Sequence, residues 1–452
     1  MKISLKNAKE MQAVKGFGVS SCWWSQYCKG EPAKEISELL YGEGGLNLNI
    51  YRYNVGGGTD ENNCRVKNPW RNTESMYVYD RETEEGHYDF SRDKTAVDMM
   101  RLCLDKGSID TLILFANSPH FSQTSTGQAS GSLTYHTCNL PLSNYKKFAD
   151  YFLDVTEHFL NEGFPVKYIS PINEPQWKWG GSYVWQEGCH YEPEELLAVY
   201  HIFAEEIIKR KLPVELYGPE SGEMGGLTEE YLNLLKTDET VMKVLKIFAY
   251  HSYHDDDNPK MRVEFKNSLV NKNPDLRFDM SEWCELPNKS HTKNFKGALI
   301  TARIIGQDLI YGGAESWTAW VAVNQFSIKE DGFDYSDGLI TAANNFEEWY
   351  VAMRYYGMAH FSKYIEKGDS CLDIGYFPDE SNDFNVFCFK ADSGVKAVAV
   401  NEGESREISF EGYKITKLIV SNSQEQLKEI DCNTDTLTAE PNSLYTVFLE
   451  EK

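Results

Sequence analysis

Between residues 16 and 365 the chain alternates eight times between a short apolar run and an amphipathic stretch. The apolar runs begin near residues 16, 48, 111, 166, 214, 247, 276 and 314. Thr111 to Ala116, Thr-Leu-Ile-Leu-Phe-Ala, is apolar without interruption, the pattern of a strand buried on both faces. The stretches between carry apolar residues at helical spacing: Ala96, Met99, Met100, Cys103 and Leu104 share one face of a helix expected from Ser91, as its cap, to Gly107. Further helices are expected over Leu142 to Leu160, Glu192 to Lys211, Thr228 to Leu235, Arg262 to Leu269, Phe295 to Tyr311 and Phe346 to Ile365, whereas residues 59–90 read as irregular. Eight strand-helix repeats with parallel connections must close on themselves, so the expectation is an α/β fold built on a (β/α)8 TIM barrel over residues 15–365.

From about residue 366 the period changes from helical to alternating, in short runs such as Phe384 to Lys390, Lys396 to Asn401 and Leu444 to Leu449. That predicts an attached all-β sandwich over residues 366–452. Only Glu366-Lys367-Gly368-Asp369 separates it from the last predicted helix, too little for a free tether. The 452 residues suffice for both domains.

A formal charge of −24 repels polyphosphates and anionic lipid heads, which argues against nucleic acid or a membrane as partner. No run of about eighteen apolar residues occurs, and residues 1–20 lack the unbroken apolar core of a signal peptide. The expectation is a cytoplasmic enzyme, or alternatively a secreted one whose leader has been removed. Ten cysteines, without CxxC or Cys/His ligand spacing, read as free thiols. The 27 Tyr and 10 Trp lean towards a cleft that packs on sugar rings, although an aromatic core explains them as well.

Chemistry concentrates where strands stop. Tyr168 to Trp177, Tyr-Ile-Ser-Pro-Ile-Asn-Glu-Pro-Gln-Trp, is an apolar run halted by prolines, and it delivers Glu174 to a strand tip, the end of a barrel that carries catalysis. Alone, Glu174 reads equally well as a capping or surface-turn residue. Leu276 to Glu285 repeats the design and ends at Glu282. Two strand-end glutamates form a candidate acid/base and nucleophile pair. Gly56-Gly57-Gly58 lacks the Lys-Ser/Thr of a phosphate loop and reads as a close backbone turn. His251 and His254 flank Asp255 to Asp257, and Asp331, Asp334 and Asp337 lie close together, but neither set has metal-ligand spacing, so no metal and no organic cofactor is expected.

The chain resembles the family 30 glycoside hydrolases along essentially its whole length. The resemblance rests on Gly16-Phe17-Gly18, Tyr51 to Gly57, Asn117-Ser118-Pro119, Ile172 to Gln176, His251-Ser252-Tyr253, Ser281-Glu282-Trp283, Tyr355-Tyr356-Gly357, Phe361-Ser362-Lys363 and Pro441 to Leu444. It implies a retaining enzyme in which Glu174 is the acid/base and Glu282 the nucleophile. It further implies that Asn173 donates to the sugar 2-hydroxyl and that Arg52 and Tyr253 bond Glu282, a plain core role being the other reading of Tyr253. Asn117 and His251 are carried over as substrate-binding positions. Residues 1–14 resemble the family's first sandwich strand, so both chain ends would build the side domain. Trp23, Trp24, Trp179 and Trp320, at strand tips or in loops, can floor a sugar subsite or simply pack.

Within the family, Gly16 to Trp24, Arg52 to Gly57, Asn117 to Pro119 and Gln186-Glu187-Gly188 are most similar to the branch acting on β-1,6-galactans. After Pro119 the chain departs from it, with His120-Phe121-Ser122-Gln123 in place of aromatic residues and Met, so the outer subsites are not carried over. The expected partner is a β-linked oligo- or polysaccharide, foremost β-1,6-galactan. Alternatives are β-xylosidase, β-glucosidase or xylanase activity, or a glycan-binding protein without catalysis, against which both carboxylates are intact.

Overall fold

The computed structural model describes residues 1–59, 65–66, 68–254, 258–286, 292–325, 327–328 and 334–452. Cys64, the run Asp255–Asp257 and Asp331 lie outside these residues. Eight strands form a closed parallel barrel in chain order: β1 (Gly16–Ser20), β2 (Ile50–Asn54), β3 (Thr111–Phe115), β4 (Val166–Ser170), β5 (Glu215–Ser221), β6 (Leu245–His251), β7 (Arg277–Trp283) and β8 (Ser316–Ala319), with β8 returning to β1. Helices α1 (Gly30–Tyr41), α2 (Lys94–Leu104), α3 (Tyr145–Asn161), α4 (Pro193–Arg210), α5 (Thr228–Leu235), α6 (Pro259–Ser268), α7 (Lys296–Ile310) and α8 (Met353–Ser362) follow the strands in turn. Gly18 is required by the closure: a Cβ there would lie 2.6 Å from the Cβ of Ile50 on the neighbouring strand.

Period two then decides what the barrel mouth contains. Ile50, Ile113, Tyr217, Ile247 and Ala249 form an apolar plug in the lumen. Two residues further along the same strand faces stand Arg52, above Ile50, and His251, above Ala249. The plug has no water to offer, so the polar groups above it must satisfy one another or a ligand.

The side domain pairs a seven-stranded sheet with a three-stranded one. Lys9–Ala13 runs beside Ser370–Asp373 in the first and Lys2–Ser4 beside Arg406–Glu411 in the second, so both chain ends contribute. Alternation along Phe384–Ala391 aims Val386 and Cys388 into the sandwich and Phe387 and Phe389 into the barrel's own core. Gly306 of α7 admits the Phe387 ring, since a Cβ there would come within 2.1 Å of it. His360 of α8 completes the joint, its two ring nitrogens paired with Thr446 and Ser421 at 2.8 Å.

Several local expectations are corrected. The apolar run expected near residue 48 forms strand only over Ile50–Asn54, because the amides of Leu46 and Leu48 donate to α1 carbonyls. Ser91 caps no helix: it donates to Asp89, and α2 starts behind Asp93, whose backbone is left-handed (φ 51°). Residues 59–90 are not wholly irregular, since Tyr77–Asp80 and Glu85–Tyr88 form a hairpin. The helix expected from Phe346 begins only at Met353; Glu348–Val351, with Trp, Tyr and Val in succession, pairs with Ile340–Ala343 as strand. The helix Glu239–Val244, capped by Asp238, has no counterpart among the expected elements. The nine described cysteines are free thiols. Among the described residues no helix is long and apolar enough to cross a membrane.

Candidate active site

Five strands converge on one buried polar cluster, β2 through Arg52 and four others through the residues that Arg52 and its neighbours meet. β7 presents Glu282, 4% exposed. The segment after β4 presents Asn173 and Glu174, the latter in left-handed backbone (φ 47°) with its amide donating to the carbonyl of Glu220. β5 contributes Glu220 itself, fully buried, and β6 ends on His251, also fully buried.

Arg52 is the hub. Its Nη1 donates to Oε2 of Glu282 at 2.9 Å, and its Nη2 donates to Oδ1 of Asn173 and Oε2 of Glu220, each at 2.8 Å. The guanidinium lies over the Phe115 ring, 3.5 Å from its centroid, which fixes its plane from below. Because Arg52 takes the carbonyl oxygen of Asn173, the NH2 end of that amide is the one able to donate to a sugar. Tyr253 donates its hydroxyl to Oε1 of Glu282 at 3.2 Å.

His251 links the three carboxylates: Nδ1 lies 3.1 Å from Glu174 and 3.7 Å from Glu282, and Nε2 lies 3.4 Å from Glu220. Burial alone would lower its pKa, but Glu282, Glu174 and Glu220 together carry it up to about 9, so the ring is an imidazolium at neutral pH. Burial likewise pushes Glu220 up, but Arg52 and His251 overcome it and hold this carboxyl down at about 2. On Glu282 burial prevails: the carboxyl is raised to about 7, with His251 and Arg52 pulling the other way.

Among the described residues, one group of three His, Cys, Asp or Glu side chains could hold a metal ion: Glu174, His251 and Glu282, with ligand atoms within 4.8 Å of one another. An imidazolium has no lone pair to give, so a cation would first have to displace the His251 proton.

The aromatic candidates separate. Trp320, on the strand exit after β8, packs edge-on against Trp23 at 5.3 Å, and its ring lies 6.0 Å from the Arg52 guanidinium, beside Glu282. Trp24 does not face the cleft: it is fully buried, with Nε1 donating to the carbonyl of Ser20. Trp179, 2% exposed, donates Nε1 to the carbonyl of Glu174 and thus props the loop that carries this residue rather than offering a face. Asn117 donates to Asn54 at 3.3 Å, and its buried Oδ1 has no hydrogen-bond partner among the described residues.

Two residues have roles that the sequence does not assign. Glu220 ends β5 in Gly218-Pro219-Glu220, the same carboxylate-beside-proline design as Glu174, and could have been found on that signal. Glu187 stands in the Gln186-Glu187-Gly188 stretch that resembles the β-1,6-galactan branch, but that resemblance assigns it no role. Buried in the loop after Glu174, it accepts from the amide of Gly57 at 3.0 Å and from the hydroxyls of Thr59 (3.1 Å) and Thr73 (2.5 Å), so it ties the Gly56–Gly58 turn to the loop that follows Glu174.

Comparison with known proteins matches this architecture. The sequence model of O-glycosyl hydrolase family 30 matches residues 1–341. An endo-beta-1,6-galactanase of Hypocrea rufa is 21% identical over 420 residues, 88% of this chain and 80% of that protein. An exo-beta-1,6-galactobiohydrolase of Bifidobacterium longum is 26% identical over 183 residues, 33% of this chain and 12% of that much longer protein. Among solved structures, a conserved exported protein from Bacteroides fragilis superposes with a TM-score of 0.83 at 22% identity, covering 99% of both chains. The catalytic domain of the family 30 xylanase C from Talaromyces cellulolyticus superposes with a TM-score of 0.73 at 16% identity, covering 100% of both. With three quarters of its length matched by the family model, the chain belongs to O-glycosyl hydrolase family 30 and is a glycoside hydrolase.

Proposed function

We propose that this chain is a retaining β-glycosidase that cleaves β-1,6-linked galactan or its oligosaccharides, with Glu174 as acid/base and Glu282 as nucleophile. The observation that carries the mechanism is the closeness of the two carboxylates, with oxygens within 4.8 Å of each other. Retaining pairs stand about 5 to 5.5 Å apart, whereas inverting pairs leave roughly 6.5 to 9.5 Å for a water. Glu282 attacks the anomeric carbon as Glu174 gives its proton to the departing oxygen. Glu174 then takes a proton from the water that cleaves the glycosyl-enzyme, and both carboxyls return to their starting states. Arg52 favours the ionised form of Glu282 against burial and, with Tyr253, keeps it aimed, and the NH2 of Asn173 meets the sugar 2-hydroxyl.

The substrate assignment draws on the two β-1,6-galactan-acting relatives. Its test is a screen of nitrophenyl glycosides together with β-1,6-galactan, with the first-formed anomer read by NMR. Release of β-configured galactose or galacto-oligosaccharides from β-1,6-galactan is expected. An α-anomer formed first would overturn the retaining assignment. Turnover of β-xylan or β-glucosides alone would move the substrate elsewhere in the family, and no turnover on any glycan would leave a binding protein.

A further inference from the structure

Three residues beyond Glu174 stands Trp177, and three residues beyond its partner His251 stands His254. The two rings stack, with centroids 5.9 Å apart and planes at 13°. Tyr183 closes the group edge-on, 6.0 Å from Trp177 and 5.6 Å from Trp179. The wall hangs from the backbone of Glu174, whose carbonyl accepts from the amide of Trp177 at 3.1 Å and from the indole of Trp179 at 3.0 Å. It continues outward: Lys178 lies 5.8 Å from the Trp177 ring and 5.7 Å from the ring of exposed Tyr135, and Trp185 further along the same loop is 63% exposed.

The aromatic groups of the mouth thus divide between the two carboxylates. Trp320 and Trp23 belong to the Glu282 side, through Arg52 and through the bond from the amide of Trp320 to the carbonyl of Trp283. Trp177, His254 and Tyr183 belong to the Glu174 side. An acid/base must place its proton on the bridging oxygen, so the groups around it meet the departing sugar and those around the nucleophile meet the sugar under attack. Trp177 is half-buried and stacks, offset, beside His254, so its ring is partly ordered before a pyranose stacks on it, at low entropic cost.

Resting on the glycosidase reading above, we propose that Trp177, backed by His254 and Tyr183, is the stacking platform of the first leaving-group subsite, which takes a sugar ring on the reducing-end side of the scissile bond. The enzyme then reads its substrate on both sides of the cut, and a sugar bound there is also the acceptor in transglycosylation.

The test compares Trp177→Ala and Trp177→Phe with the wild type on two substrates sharing one glycone: the β-glycosyl fluoride, whose leaving group is not a sugar, and the β-linked trisaccharide. The glycone is the one that the wild type hydrolyses. Trp177→Ala should lose at least about tenfold more kcat/KM on the trisaccharide than on the fluoride, the effect of one lost ring face. Trp177→Phe, which keeps a face, should recover most of that difference, and the yield of transglycosylation product should follow the same order. Equal losses on both substrates, or no recovery with Phe, would overturn the proposal and make Trp177 a prop for Glu174. A wild-type enzyme inert to every glycosyl fluoride and oligosaccharide defeats the glycosidase reading itself, and the subsite with it.

Discussion

Arg52 donates one guanidinium nitrogen, Nη1, to Glu282 at 2.9 Å and keeps the other, Nη2, for Glu220 and Asn173. A lysine carries the charge but not the fork, so it can meet one carboxylate only and leaves the other, still beside His251, without its strongest partner. Arg52→Lys should therefore lower kcat/KM on an aryl glycoside by roughly 10² to 10³ and also lower the melting temperature. Near-wild-type kinetics would remove Arg52 from the machinery.

The pH profile follows from the raised carboxyl of Glu282. As the proposed nucleophile, Glu282 must be ionised, so kcat/KM should fall on the acid side below about 7, tenfold per pH unit. His251, a cation 3.7 Å away, favours the ionised form. Removing it in His251→Phe should push that carboxyl further up and shift the acid limb to higher pH. A limb that stays in place or moves down contradicts this reading of the imidazolium.

Glu220 gives the opposite sign in stability. Its carboxyl is held at about 2 in the folded chain against 4.5 for the free group, so its contribution is fully present above about 4.5 and is lost as pH falls towards 2. That contribution is roughly 3 kcal/mol. Chemical denaturation of the wild type should show this loss over that interval, and Glu220→Gln should flatten it. An unchanged slope in the variant would place the acid sensitivity in other groups.

What was legible in the sequence is what depends on period and punctuation. Continuous apolar runs such as Thr111–Phe115 and proline-stopped tips such as Ile172 to Pro175 gave strands and one carboxylate position without reference to contacts. Orientation is another matter. Trp23 and Trp24 are neighbours at one strand exit, yet Trp23 packs against Trp320 while Trp24 turns under the barrel rim to Ser20, and nothing in the order of two tryptophans tells which does which. Glu187 stands in a recognisable stretch, but its role is not legible there because its partners are Gly57, Thr59 and Thr73, more than a hundred residues earlier. Glu348–Val351 fits the helix expected from Phe346 equally well in sequence, because a short apolar run carries no length by which to tell strand from helix.

Truncation after residue 366 should not yield a free barrel. It would uncover the apolar surface that now meets Phe387, Phe389, Val398, Val400 and Leu444, and would leave Lys9–Ala13 without its partner strand. The fragment should be insoluble or bind hydrophobic dyes, as judged by sedimentation and fluorescence. A soluble, fully active fragment would show that the barrel stands alone.

The two glutamates can be told apart by the product each variant makes. If Glu282 is the nucleophile proposed above, Glu282→Gln should abolish turnover on every substrate. Glu174→Gln lacks only the proton donor, so with a dinitrophenyl leaving group, which needs no proton, it should still form the glycosyl-enzyme and then stall for want of a base. Azide requires no deprotonation; added to Glu174→Gln it should speed the second step and give the β-glycosyl azide, the outcome of two inversions. In Glu282→Ala azide should instead enter the space of the missing carboxylate and give the α-azide by one inversion. Azides of exchanged configuration would mean that the two roles are reversed, and near-wild-type rates of both variants on natural glycan would move the active site away from this pair.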